Sequence, residues 1–180
     1  STVILGGLTV LNAASEAQKT ECLPKIVNGK AVIALALTEP ESSWDGNDWK
    51  PEGVNLRARQ NGDDYVLNGA KMFVHDAAAA DYLLVVARTR ATRNPANGIT
   101  LFMVDAKSPG IKITPLVTLA GDTQAEVVFN DVNVSRHNII GQLHAGWEPL
   151  IRSIQVATVL LCAQMLGASQ KLLEITLDYA

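Results

Sequence analysis

The stretch Val54-Asn55-Leu56-Arg57-Ala58-Arg59-Gln60-Asn61-Gly62-Asp63-Asp64-Tyr65-Val66-Leu67-Asn68-Gly69-Ala70-Lys71-Met72-Phe73-Val74 decides the fold. Val54, Leu56 and Ala58 alternate with Asn55, Arg57 and Arg59. This is the period-two pattern of a strand with one wet face. Asn61-Gly62 and Asn68-Gly69 each place a pair that tolerates positive φ between β-prone runs, so the spacing predicts two hairpins in succession. Downstream, residues 82–87 and 99–104 read as buried strands. The segment between them holds Asn94-Pro95 and Asn97-Gly98 and reads as a surface loop. Ile111 and Ile113 alternate with Lys112 and Thr114, and Ala125, Val127 and Phe129 with Glu126, Val128 and Asn130. Upstream, the apolar run 31–37 predicts one more buried strand. Pro40, Gly46, Pro51 and Gly53 make 38–53 a loop. The reading is a mainly β chain, with strands arranged as an antiparallel sandwich or barrel.

Helices flank this unit. Residues 1–22 read as helical, with Asn12 and Ser15 as candidate caps at a break and Pro24 as the stop. After Gly146 the pattern returns to one long helix ending at Ala180, and Ser153 to Gln170 carries no charge. Gln155, Gln164 and Gln170 lie within that stretch. Amides are costly in hydrocarbon, so no membrane insertion is expected, and the helix reads as soluble and buried on most of its circumference.

The chain has 180 residues, 48% of them hydrophobic, which suffices for a sizeable core. Fifteen basic and 18 acidic residues leave a net charge of -3, so no basic excess points to nucleic acid. Cys22 and Cys162 are far apart and read as reduced and buried. No CxxC or HExxH spacing occurs, so no metal site is expected. The paired acids Asp63-Asp64 read as a solvated turn, and His137 and His144 as loop residues without a role. Arg88 and Arg90 read as a solvated strand end.

Several segments in order resemble the acyl-CoA dehydrogenase family. They are Leu23-Pro24, then Leu37-Thr38-Glu39-Pro40, then Asn68 to Val74, then Val127-Val128-Phe129-Asn130-Asp131-Val132-Asn133-Val134, then Asn138-Ile139-Ile140-Gly141 with Gly146-Trp147. The resemblance implies a domain plan. Residues 1–28 would be the tail of an N-terminal helical domain, 29–141 the middle β-domain, and 145–180 the first helix of a C-terminal bundle. The chain would then be a piece of a longer protein, with the uncharged helix covered by other helices and by neighbouring subunits.

The resemblance also implies chemistry. Such enzymes desaturate an acyl-CoA thioester between Cα and Cβ: a carboxylate takes the α-proton and FAD takes the hydride. Carried over by position, Leu37, Thr38, Phe73, Val74 and His75 would contact FAD. Ser42, Ser43 and Asp45 would serve the substrate. His75 stands where the family places Thr or Ser, and Glu41 and Trp44 stand where it places small residues. Leu119-Ala120-Gly121-Asp122 lacks the family's arginine, and Val156-Ala157-Thr158 lacks an acidic residue. No residue of this chain matches the catalytic base. The expected partners are an acyl-CoA and further subunits, identical or different, joined through the bundle. The expected compartment is the cytoplasm, or the mitochondrial matrix in a eukaryote. The alternative is a flavin-poor, non-catalytic subunit of a hetero-oligomer.

Overall fold

The computed structural model describes residues 2–42 and 50–180. Ser43, Trp44 and Asp45, singled out above, lie outside the described residues. The chain opens with a π-helical stretch, Thr2–Gly7, which runs into α1, Leu8–Ala13, and then α2, Glu16–Val27. Ser15 is the cap the sequence suggested. Its hydroxyl accepts from Gln18 N at 3.3 Å, and its own amide donates to Gln18 Oε1 at 3.1 Å, the reciprocal arrangement of a capping box. Asn12 does not cap. Its amide instead donates to Ser153 Oγ on the C-terminal helix at 3.0 Å. Pro24 does not end the helix either, because α2 continues to Val27 and Pro24 sits inside it. So near the C-terminus, a missing N–H removes a single ladder bond.

Eight strands follow: β1 (Ile33–Ala36), β2 (Arg57–Asn61), β3 (Asp64–His75), β4 (Tyr82–Arg88), β5 (Ile99–Asp105), β6 (Ile111–Leu116), β7 (Gln124–Val134) and β8 (Ile139–Ile140). They form one sheet in the order β6-β7-β3-β2-β4-β5-β8, with β1 also pairing β4. Two expectations change here. The sheet is mixed rather than purely antiparallel, since β1 and β2 both pair β4 in parallel. It is also open, because β6 and β8 are its two ends, so the barrel reading does not hold. The parallel pairs arise from connectivity. β1 reaches β4 only after the β2–β3 hairpin and a long return, a crossover rather than a tight turn.

The hairpin at Asn61-Gly62 forms. Asn61 pairs with Asp64 across a two-residue loop, and Gly62 has φ 63°. The hairpin expected at Asn68-Gly69 does not form. That dipeptide lies inside β3, a strand of 12 residues. The pairing with β7 shifts register between Leu67 and Gly69, where β7 carries the extra residue. Asn68 Nδ2 donates to Asp131 Oδ1, and Asp131 N donates to Asn68 Oδ1, both at 2.9 Å. The residues that looked like a turn thus build a bulge across two strands. Gly69 sits there at φ 142°, and a Cβ on it would lie 3.0 Å from Leu56 Cγ.

The core has two layers because β4 and β5 are buried on both faces. Leu83, Val85, Phe102 and Val104 pack with Leu67, Val127 and Phe129 on one side. Leu84, Val86, Leu101 and Met103 pack with Val10, Ile26, Trp147 and Leu150 on the other. The helices therefore cover one face, and the curled β3–β7 region closes the second.

The long helix α3, Trp147–Tyr179, is anchored only at its start, where Trp147, Leu150 and Ser153 are buried. It is not buried on most of its circumference within this chain. Leu160, Leu161, Met165, Leu172 and Leu173 are exposed. By length and composition α3 could cross a membrane. Cys162 lies on it and is exposed, and Cys22 is partly so, which corrects the reading of both as buried.

Gly69→Ala is expected to lower stability by about 1–3 kcal/mol, read from urea unfolding midpoints. The bare α3 face is expected to make the 180-residue chain self-associate, and charged replacements at Leu161 and Leu172 to return it to a monomer by light scattering.

Candidate functional site

The end of β1 and the last third of β3 meet at one corner of the sheet. Along β3, Tyr65, Leu67 and Lys71 are buried, and Lys71 reaches the core with no exposed surface. A lone ammonium there would be very unfavourable. Glu39, itself only 4% exposed, meets it: Lys71 Nζ lies 2.7 Å from Glu39 Oε1 and donates to the Leu37 carbonyl at 3.0 Å. Burial is the main cause that lowers the Lys71 pKa to about 8, against the opposing pull of Glu39. The Glu39 carboxylate also accepts from Asn55 N at 2.8 Å and from Leu56 N at 3.0 Å. One buried ion pair thus ties the segment after β1, the residues leading into β2, and β3 together.

This pin sets the residues on either side of it. Met72 N donates to the Thr38 carbonyl at 2.8 Å, so Thr38 lies directly beside the segment carrying Phe73, Val74 and His75. The pairing with β7 shifts again between Lys71 and Val74. This bulge puts Phe73 at φ 53°, a backbone region that bulky residues seldom occupy. Phe73 is 41% exposed. Val74, by contrast, is core, and Leu37 is buried with its carbonyl held by Lys71. Thr38 is half-buried. Its hydroxyl takes no hydrogen bond among the described residues, and no buried side-chain polar atom among them lacks a partner. That hydroxyl therefore reaches solvent at the corner.

Beyond the bulge, His75 pairs with Gln124 of β7. Its Nδ1 lies 3.6 Å from Asp122 Oδ2. Asp122 is fixed in turn by the Thr118 hydroxyl and the Gln124 amide, and these two hydrogen bonds hold its carboxyl below the usual carboxylate value. Asp76 N donates to the Thr123 carbonyl at 2.8 Å, and the Thr123 hydroxyl donates to Asp76 Oδ1. The β6–β7 hairpin is thereby latched to the end of β3.

The structure thus brings Leu37, Thr38, Phe73, Val74 and His75 to one corner. Ser42 belongs to the adjoining loop. Its hydroxyl accepts from Glu39 N at 3.1 Å and donates to the Gly53 carbonyl at 3.3 Å, so it closes that loop. Sequence reasoning missed the Lys71–Glu39 pair. The available signal was a lysine at an inward position of β3, which requires a buried carboxylate. It also missed Arg88, which is no solvated strand end: its guanidinium donates to the carbonyls of Val54, Pro95 and Pro51. His144, read as roleless, locks its own loop through Thr89 Oγ1 at 2.7 Å and Thr100 Oγ1 at 2.9 Å.

Residues 34–132 match a family described as acyl-CoA dehydrogenase, middle domain. The mitochondrial long-chain specific acyl-CoA dehydrogenase of Sus scrofa is 33% identical over 175 residues, covering 94% of this chain and 39% of that protein. The 3-(aryl)acrylate reductase of Clostridium sporogenes is 30% identical over 177 residues, covering 97% of this chain and 45% of the reductase. The solved glutaryl-CoA dehydrogenase of Mycobacterium smegmatis in complex with FADH2 superimposes with a TM-score of 0.68 at 27% identity, covering 83% of this chain and 37% of that one. The chain spans less than half the length of these relatives.

Replacing Lys71 by Met alone, or Glu39 by Gln alone, is expected to cost roughly 3–5 kcal/mol, since each leaves a buried charge unpaired. The double variant K71M/E39Q should cost clearly less than the sum, measured as a double-mutant cycle in urea.

Proposed function

The chain belongs to the acyl-CoA dehydrogenase family, and from that premise we propose that it forms the flavin-holding middle portion of an enzyme acting on the Cα–Cβ bond of an acyl-CoA thioester. The observation that carries this reading is the corner itself. A solvent-reaching threonine hydroxyl and an outward aromatic ring are held side by side by a buried ion pair, with a histidine next along the strand. Such a corner fits a planar, heteroatom-edged ring system. The aromatic supplies a face or edge, and fixed hydroxyl and strand-end groups meet polar edge atoms without reorganising.

In this reading Thr38 and the backbone of Leu37 and Val74 hold the isoalloxazine edge of FAD, Phe73 packs on it, and His75 meets its polar side. When bound, FAD supplies the hydride acceptor of the reaction. Ser42, Ser43 and Asp45 serve the substrate side in this reading, and Ser42 braces the segment after Glu39. This chain contributes positioning and exclusion of water. No side chain in Val156-Ala157-Thr158 can take the α-proton, so the base belongs to another part of the protein.

The domain plan follows: 1–28 as the end of a preceding helical domain, 29–141 as the β-domain, and 145–180 as the first helix of a bundle. Covering of the α3 face by bundle helices and by further subunits, alike or different, is supported by its uncovered leucines. Gln155, Thr158, Gln164 and Gln170 within it favour protein over lipid as that cover. A soluble compartment, the cytoplasm or the mitochondrial matrix, goes with this.

The test uses the full-length protein reconstituted with FAD and challenged with a series of acyl-CoAs. Bleaching of the flavin band with at least one thioester is expected, and Thr38→Ala should weaken FAD binding by about tenfold, the equivalent of one lost hydrogen bond. Failure to bind FAD would overturn the reading. Half-occupancy of FAD with a co-purifying homologue would replace it with the non-catalytic partner role.

A further inference from the structure

One arrangement at the corner is not accounted for by holding a ring. His75 is more than half exposed, and its Nδ1 lies 3.6 Å from Asp122 Oδ2 on the β6–β7 hairpin, an ion-pair distance rather than a hydrogen bond. Asp122 is not a passing surface acid. Its Oδ1 takes the Thr118 hydroxyl and its Oδ2 the Gln124 amide, so the carboxylate is aimed before the imidazole reaches it. The hairpin bearing it is latched to β3 by Asp76 and Thr123 immediately beyond His75. The charged group that the structure places against the ring is Asp122 on the β6–β7 hairpin; Asp76, the next residue in sequence, bonds Thr123 instead.

We propose that Asp122 is a positioning residue that fixes the tautomer of His75, with the proton on Nδ1 facing Asp122, so that Nε2 is the atom presented to the ligand. A neutral imidazole has one donor nitrogen and one acceptor nitrogen. With Nδ1–H facing the carboxylate, which at 3.6 Å lies just beyond hydrogen-bond distance, Nε2 is the nitrogen left to accept a hydrogen bond when the ring is neutral and to donate one when the ring is an imidazolium. A serine or threonine hydroxyl at the same position could do either without a change of charge. His75 and Asp122 therefore make the ligand-facing group at this position switch from acceptor to donor only by taking up a proton. The carboxylate pinned by Thr118 and Gln124 remains ionised to support that state. The identity of the ligand rests on the flavin reading above, whereas the tautomer does not.

The experiment labels the full-length protein with ¹⁵N-histidine and assigns His75 by difference from His75→Gln. Ring-nitrogen shifts in the cofactor-free protein report the tautomer. The unsubstituted protein is expected to show the Nδ1–H form of His75 in excess. Asp122→Asn and, more mildly, Thr118→Val should shift the Nδ1–H to Nε2–H ratio at least threefold toward Nε2–H. FAD titrations of the same proteins should show about three- to tenfold weaker binding for Asp122→Asn. Recovery by Asp122→Glu to within about twofold of the original affinity is expected, which a purely structural loss would not give. An unchanged ratio in Asp122→Asn overturns the proposal, whatever FAD does. If no variant, nor the unsubstituted protein, binds FAD, the flavin reading fails, and the ring-nitrogen result still decides the role of Asp122.

Discussion

The buried contact between Lys71 and Glu39 is the constraint on which the rest of the corner depends. It joins two charges in a layer of Leu, Val and Phe, where neither could remain alone. What the pair gains is position. The Lys71 ammonium also holds the carbonyl of Leu37, and the Glu39 carboxylate also holds the amides of Asn55 and Leu56. Three segments far apart in sequence are therefore fixed against one another by two side chains. Thr38 lies between the two anchored residues Leu37 and Glu39, and Phe73 lies two residues beyond Lys71.

The same economy shows in the sheet. β4 and β5 are apolar on both faces, so one layer of helix and one curled layer of sheet can pack on them at once. Strand-end irregularities then do what loops do in other folds. The bulge at Asn68-Gly69 and Asp131 bends the β3–β7 ribbon, and the second bulge turns Phe73 outward at positive φ. α3 leaves this unit after its first turns and carries an apolar surface with it. That surface is left uncovered within this chain.

Much of this was legible in the residues. The strands at 82–87 and 99–104, the Ser15 cap and the Asn61-Gly62 hairpin follow from local pattern, because local chemistry alone determines them. Asn68-Gly69 misled because the same two residues that favour a turn also favour a bulge, and only the partner strand decides between them. Pro24 misled because its cost depends on its place in the helix. The parallel pairing of β1 with β4 was invisible, since no local signal records which distant strand a buried run will meet. At the site, Thr38, Phe73 and His75 could be named from resemblance. Glu39 reads from sequence only as part of the 38–53 loop, although an inward lysine on β3 calls for a buried acid. Asp122 was noted only for the arginine absent beside it, because its role depends on a hairpin returning to the end of β3.

The role of the buried pair is measured most directly as FAD affinity in the full-length protein carrying the charge-neutral pair of substitutions K71M/E39Q. This variant removes both buried charges together and so retains the sheet, which circular dichroism can verify. FAD binding is expected to weaken by about tenfold or more while strand content is unchanged, because Thr38 and Phe73 lose the tie that sets them side by side. FAD affinity equal to that of the unsubstituted protein would contradict it.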